Sequence, residues 1–323
     1  RGVAAREHVP VGLIDATWGG TVVEAWLSLT AISADAGLMP VFATRATMMR
    51  TQGEMAAILA RERREDEAAR QAGEAPPSHP WHPDPASWAP AALFNGMIAP
   101  AVPYAIKGVI WYQGESNSRL AFAPMYAKLF PALIADWRAQ WHEGSFPFLY
   151  VQIANFKSNA TEDWAVIREA QRRSLSVANT AMAVTIDIGN PDNVHPADKQ
   201  TVGARLALAA RALAYGENVE YSGPLFGHAN PEEEGIRIWF DHTADGLVAR
   251  GGDLQGFEIA GEDRRFVTAT ARIDGKTVVV ANRQVAGPKY VRYGWANAPL
   301  VNLFNSDGLP ASPFTSEDAI PAP

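Results

Sequence analysis

The chain has 323 residues, 47% of them hydrophobic, enough apolar material for a packed core and too much for a disordered chain. Asp and Glu number 35 against 28 Lys and Arg, a net charge of −7, so the long-range attraction for phosphate backbones that nucleic-acid binding draws on is lacking. The absence of cysteine excludes disulfides, thiolate metal sites and cysteine nucleophiles together, and no run approaches the ~18 apolar residues that a membrane-crossing helix needs.

Residues 1–8 read as the end of a helix, and residues 11–15 as a buried strand running into the paired glycines of Trp18-Gly-Gly-Thr21. Gly19 and Gly20 let a backbone N–H approach a ligand closely, as an oxyanion hole requires. Residues 44–75, with Arg61-Glu-Arg-Arg-Glu-Asp-Glu67, predict an exposed helix. A proline-dense loop follows at 76–90. Its His79 and His82 lack the supporting shell of a metal site, and no metal or other cofactor is expected. Continuous apolar runs at 107–112, 148–153 and 181–187 predict strands covered on both faces, as in a parallel sheet. Between them, Tyr126, Leu129, Phe130, Leu133, Ile134 and Trp137 mark one face of a helix over 125–141, which Pro131 is expected to kink or break. Val202, Leu206, Ala209 and Leu213 mark another helix over 198–215. This alternation gives an α/β layer architecture. Beyond residue 221 the pattern changes to short strands at 236–240, 266–273, 276–281 and 289–295, with Asp274-Gly275 predicting a type I′ hairpin.

The chemistry concentrates in Thr185 to Lys199. Pro196 is expected at the first helical position, which puts His195 at the N-cap, beyond the carboxyl ends of the strands where open sheets bind ligands. Asp192, three residues earlier, can take the Nδ1 proton and leave Nε2 as general base; Asp187, at the strand end, is the other carboxylate for that role. Gln113, Glu115 and Asn117 follow the strand at 107–112 and crowd the same edge, where an amide N–H can stabilise an oxyanion. Within Gly114-Glu-Ser-Asn-Ser118, Ser116 offers an alternative nucleophile in the chain order of α/β-hydrolases, although Ser118 stands where the second glycine of Gly-x-Ser-x-Gly belongs. A non-catalytic alternative uses some of the ten tryptophans to stack on sugars.

Taken together, Pro10-Val-Gly-Leu-Ile14, Trp18-Gly-Gly-Thr21, Glu24-Ala-Trp26, Leu93-Phe-Asn-Gly-Met-Ile-Ala-Pro100, Gly108-Val-Ile-Trp-Tyr-Gln-Gly-Glu-Ser-Asn117, Arg168-Glu-Ala-Gln171, Val194-His-Pro196 with Lys199, Val291-Arg-Tyr-Gly-Trp295 and Gly308-Leu-Pro-Ala-Ser-Pro-Phe314 resemble the sialate O-acetylesterase family of the SGNH-hydrolase superfamily. The resemblance implies a flavodoxin-like α/β/α catalytic domain, metal-free serine esterase chemistry and acetylated carbohydrates, such as sialic acid or xylan, as substrates; it favours an exported protein. By it, His195 is the base, assisted by Asp192, Gly20 and Gln113 are oxyanion donors, and Asn95, Glu115 and Asn117 contact substrate. The chain divides accordingly into a catalytic domain at 1–220, interrupted by an insertion at about 42–91, and a β-rich module at 221–323. The family's nucleophile lies in a Gly-Gln-Ser-Asn-Met block on the first strand of the sheet, and no such block occurs here. That strand is internal in the order 2-1-3-4-5, so its absence exposes two strand edges. The serine is therefore expected on an upstream segment of the same protein, which acts as a partner of this chain.

Overall fold

A computed structural model describes residues 2–43, 52–79, 82, 86–233 and 235–320. Helix α1 (Gly2–Glu7) matches the helix end expected there, and α2 (Leu29–Ala34) is capped by Ser28, whose side chain accepts from the Ala31 N–H. Strands β1 (Val109–Trp111), β2 (Phe148–Val151) and β3 (Thr180–Ala183) form a parallel sheet in that order, with Ile110 opposite Leu149 and Leu149 opposite Ala181. This is the succession expected for the last three strands of a flavodoxin-like sheet.

Helices cover both faces. On one, α4 (Tyr126–Trp141) buries Leu129, Phe130, Leu133, Ile134 and Trp137, and Trp111 meets Trp26 and Trp137 edge-on at 5.8 and 5.7 Å. Pro131 does not end this helix. The lost backbone hydrogen bond is outweighed by the apolar side chains buried on either side of it. Helix α5 (Trp164–Arg173) lies on the same face, and α6 (Lys199–Tyr215) covers the other, where Ala209 meets Leu149 and Ala181. Helix α3 (Gln52–Gln71) realises the charged insertion; residues 44–51 of the expected helix lie outside the described residues. Glu62 and Asp66, one turn apart on α3, pair at 2.9 Å with His82 and His79 of the proline-dense loop, so each of those histidines has a carboxylate partner.

The expected strand at 11–15 forms no ladder. Leu13 is 84% exposed and Val11 and Ile14 are also open, while Ile110 on the edge strand β1 is 62% exposed. An apolar run becomes a strand only when a neighbour takes its backbone groups, and among the described residues none does. Between this segment and helix-like residues 97–104 lies a cavity of about 290 Å³ lined by Ile14, Met97, Pro100, Ala101 and Tyr104.

The rest is antiparallel. One sheet has the order β4 (Leu225–Glu232), β5 (Gly235–Asp241), β10 (Thr277–Ala281), β9 (Thr270–Asp274); the other runs β13 (Phe314–Thr315), β11 (Tyr290–Tyr293), β7 (Phe257–Ala260), β8 (Val267–Thr268). A third pair joins β12 (Leu303–Asn305) to β6 (Leu247–Ala249). Ile236, Ile238, Phe257, Val278, Val280, Val291 and Phe314 fill the space between. The β9–β10 hairpin pairs Asp274 with Thr277 across Gly275 and Lys276, with a positive φ of 63° at Gly275 only. That is the II′ pattern rather than the expected I′, because glycine occupies the first central position.

Candidate active site

Just beyond β1 the backbone turns at Gly114 (φ 154°), where an added Cβ would sit 2.9 Å from Ile153 Cγ2 and 3.0 Å from Ile167 Cγ2. A single 3-10 turn, Glu115–Asn117, follows. Asn117 is buried, and its Oδ1 accepts from the Val23 N–H (2.9 Å) and from Gln113 Nε2 (2.7 Å), while its Nδ2 donates to Glu24 (2.9 Å). Gln113 Nε2 also donates to the Thr21 carbonyl at 3.0 Å. Both amide protons of Gln113, the residue expected to donate to an oxyanion, are engaged in this structure, where they tie it to the 21–25 segment. Asn117, expected to contact substrate, is in this structure a buried strut. Replacing Asn117 with Ala should cost about 2–3 kcal/mol of stability, since the Val23 N–H and the Glu24 carboxylate lose a buried partner; a urea midpoint unchanged from wild type would contradict this role.

The strut steadies the paired glycines. The Thr21 hydroxyl donates to the Trp18 carbonyl (2.9 Å) and accepts from Trp26 Nε1 (3.0 Å), and Trp88 Nε1 donates to the Gly20 carbonyl (2.6 Å). Gly20 adopts φ 68°, open to glycine without strain; the residue is exposed, and its N–H has no acceptor among the described residues. Asn95 is exposed on the π-helical turn Phe94–Ile98, and its side chain has no hydrogen-bond partner among the described residues.

His195 lies in the loop between β3 and α6, but not at the helix cap. Asp198 caps α6, accepting from the Thr201 N–H (3.0 Å) and hydroxyl (2.7 Å). A carboxylate suits that position better than imidazole, so the helix starts three residues later than Pro196 suggested. The His195 N–H donates to Asn193 Oδ1 at 2.9 Å, while the exposed imidazole has no hydrogen-bond partner among the described residues. Asp192 does not reach it. Its carboxylate is 79% exposed and takes Lys157 Nζ at 3.1 Å. Asp187 is held by both guanidinium nitrogens of Arg205, at 2.6 and 2.7 Å, so neither carboxylate fixes the histidine tautomer here.

Glu115 is the acid in this corner. Burial pushes its carboxyl above the usual range, opposed by backbone N–H groups at Glu115 and Gly114 and by the charges of Lys199 and His195. Lys199 Nζ sits 4.9 Å from the centre of the Tyr112 ring, and burial, with Glu115 nearby, raises the Tyr112 phenol. Lys199 and His195 are thus near enough to Glu115 to act on it electrostatically. Ser116 is part-exposed on the 3-10 turn, and its hydroxyl makes no hydrogen bond to His195.

This arrangement has relatives. The family described as carbohydrate esterase, sialic acid-specific acetylesterase, matches residues 81–212. Sialate O-acetylesterase of Rattus norvegicus is 34% identical over 95% of this chain and 60% of its own length. The Homo sapiens sialate O-acetylesterase is 35% identical over 67% of this chain and 38% of its own. A crystal structure of a carbohydrate acetylesterase from Xanthomonas citri superposes with a TM-score of 0.79 at 38% identity, over 98% of this chain and 63% of that one. The chain belongs to the sialate O-acetylesterase family. It spans about 60% of the rat relative's length.

In this family member the Arg168-Glu-Ala-Gln171 motif is internal rather than part of the ligand face. Arg168 is fully buried; it donates to the carbonyls of Ile153 (3.0 Å), Ala154 (3.1 Å), Ala296 (2.7 Å) and Asn297 (2.6 Å), joining α5 to the antiparallel region. Burial lowers its pKa to about 9, still a cation at neutral pH. Glu169 takes Arg172 and Arg173, and Gln171 donates to the Gln113 and Val151 carbonyls. Arg168 and Asn297 were missed as supports of the site. A long cation on the apolar face of α5, between Trp164 and Gln171, was the available signal for the first.

Proposed function

We propose that this chain supplies the histidine-bearing part of a serine-type carboxylic ester hydrolase that removes O-acetyl groups from carbohydrates. The observation that carries the reading is the free imidazole of His195 beyond the carboxyl ends of a parallel sheet, in a chain similar to proteins named as sialate or carbohydrate acetylesterases. His195 Nε2 takes the proton of a serine hydroxyl as it attacks the acetyl carbonyl, then returns it to the departing sugar oxygen. The unengaged N–H of Gly20, on its braced turn, is suited to the oxyanion. Glu115 and Asn95 are offered to the sugar, and the division into a catalytic domain at 1–220 and a β-rich module at 221–323 belongs to the same reading.

The serine is assigned to a strand on an upstream segment that inserts between residues 11–15 and β1. Exposed Val11, Leu13, Ile14 and Ile110 support this, because a paired and covered strand there removes all four from water. The test is to treat the full-length protein with a fluorophosphonate serine probe and to assay it on O-acetylated sialic acid and on acetylated xylan. Release of acetate from one of them, with the label outside residues 1–323, is the expected result. A label on Ser116 would replace this reading with the α/β-hydrolase-like one, and sugar binding without any acetate release would replace it with a carbohydrate-binding protein.

A further inference from the structure

We infer that Asn297, in the antiparallel region, is a positioning residue for His195. The inference rests on the reading of His195 as general base, and it gives the antiparallel region a part in catalysis. The side-chain hydrogen bonds of Asn297 go to the loop between β2 and α5 and to the first residue of α5: Nδ2 donates to Ser158 Oγ (2.6 Å) and to the Glu162 carbonyl (3.2 Å), and Oδ1 accepts from the Trp164 N–H (2.9 Å). Its own carbonyl accepts from the Phe156 N–H (3.2 Å) and from the buried Arg168 (2.6 Å). One residue distant by more than 130 positions in sequence therefore fixes both ends of that loop.

The loop in turn holds the histidine. Within residues 189–196, the turn is closed by its own bonds: Asp192 N–H to Asn190 Oδ1 (2.9 Å), Asn193 N–H to the Asn190 carbonyl (3.1 Å) and His195 N–H to Asn193 Oδ1 (2.9 Å). Among the described residues, the hydrogen bonds that leave this segment go to Lys157 alone, whose N–H donates to the Pro191 carbonyl (2.7 Å) and whose ammonium takes Asp192 (3.1 Å). Packing reinforces the contact: a Cβ on Gly189 would lie 1.7 Å from Asn155 Oδ1, so only glycine lets the two loops touch. The line of support runs from Asn297 through 156–164 to Lys157, and from Lys157 to the turn that carries His195. A general base displaced by about 1 Å loses on the order of 100-fold in rate, so a brace of this kind acts on turnover while leaving the sugar contacts alone.

The experiment compares Asn297→Ala and Asn297→Asp with wild type in the full-length protein. Asn297→Asp keeps the acceptor for Trp164 but cannot donate to Ser158 and sets a charge against the Glu162 carbonyl. Both variants are expected to lower kcat by about tenfold to 100-fold with KM within about twofold. Amide exchange at Lys157 and across 189–196 is expected to quicken by about tenfold, while the β2 and β3 amides keep their protection. Should Asn297→Ala fail to fold, Ser158→Ala removes one of the three bonds and is expected to give the same pattern more weakly. Unchanged exchange across 189–196, or a fall in activity that only tracks the folded fraction, overturns the inference. His195→Ala is the parallel control: if it stays active, the reading of His195 as base fails, and the brace is then judged on exchange alone.

Discussion

His195→Ala is expected to abolish acetyl-ester hydrolysis by the full-length protein while leaving its fold intact. The imidazole is exposed and has no hydrogen-bond partner among the described residues, so its removal should change stability by no more than about 0.5 kcal/mol. The loss of a general base should lower kcat by at least ~100-fold. Near-normal turnover in the variant would remove His195 from the mechanism. The same assay separates it from Asp192, whose carboxylate faces water and Lys157. Asp192→Asn should cost less than about tenfold, far below the loss that follows when a carboxylate truly fixes the tautomer of a catalytic histidine. A loss equal to that of His195→Ala would show that Asp192 swings to the imidazole during turnover.

The parallel strands were legible because residues 107–112, 148–153 and 181–187 are apolar without alternation, the mark of strands covered on both faces. Residues 11–15 carry the same mark but stand unpaired. Burial is written in one segment, whereas a ladder needs two, and the second is not among the described residues. The hairpin at Asp274-Gly275 was legible as a turn, but its type was decided by which residue took the positive φ.

At the site, the structure gives several candidate residues partners that sequence spacing does not announce. Asp192 stands three before His195, a distance at which a turn can join them, yet Lys157 claims the carboxylate from 35 positions away. Gln113 and Asn117 follow a strand as ligand-facing residues often do, but they turn inward to Thr21 and Val23, more than 90 positions earlier. An amide at a strand end serves a ligand only if its protons are not needed by the backbone beside it, and that accounting depends on loops that nothing nearby in the sequence announces.

Supplying the upstream segment is the intervention with the widest expected effect. Four apolar side chains, Val11, Leu13 and Ile14 ahead of the sheet and Ile110 on its edge strand β1, stand open to water, and the proposed upstream strand is assigned to the place between them. Each is worth about 1.5–3 kcal/mol when taken fully from water, and the edge of β1 offers unpaired backbone groups as well. Residues 1–323 expressed alone should therefore self-associate as concentration rises and should hydrolyse no acetate ester above background. Adding the upstream segment, fused or as a separate polypeptide, should give a one-to-one species, slow amide exchange at Ile110 and restore activity sensitive to a serine probe. Ile110→Lys, which puts a charge on the edge where the strand must dock, should prevent this rescue without unfolding the isolated chain, because Ile110 is already in water there. Rescue that proceeds normally with Ile110→Lys would put the strand elsewhere. Full turnover by residues 1–323 alone, with the label on one of their own serines, would return the nucleophile to this chain.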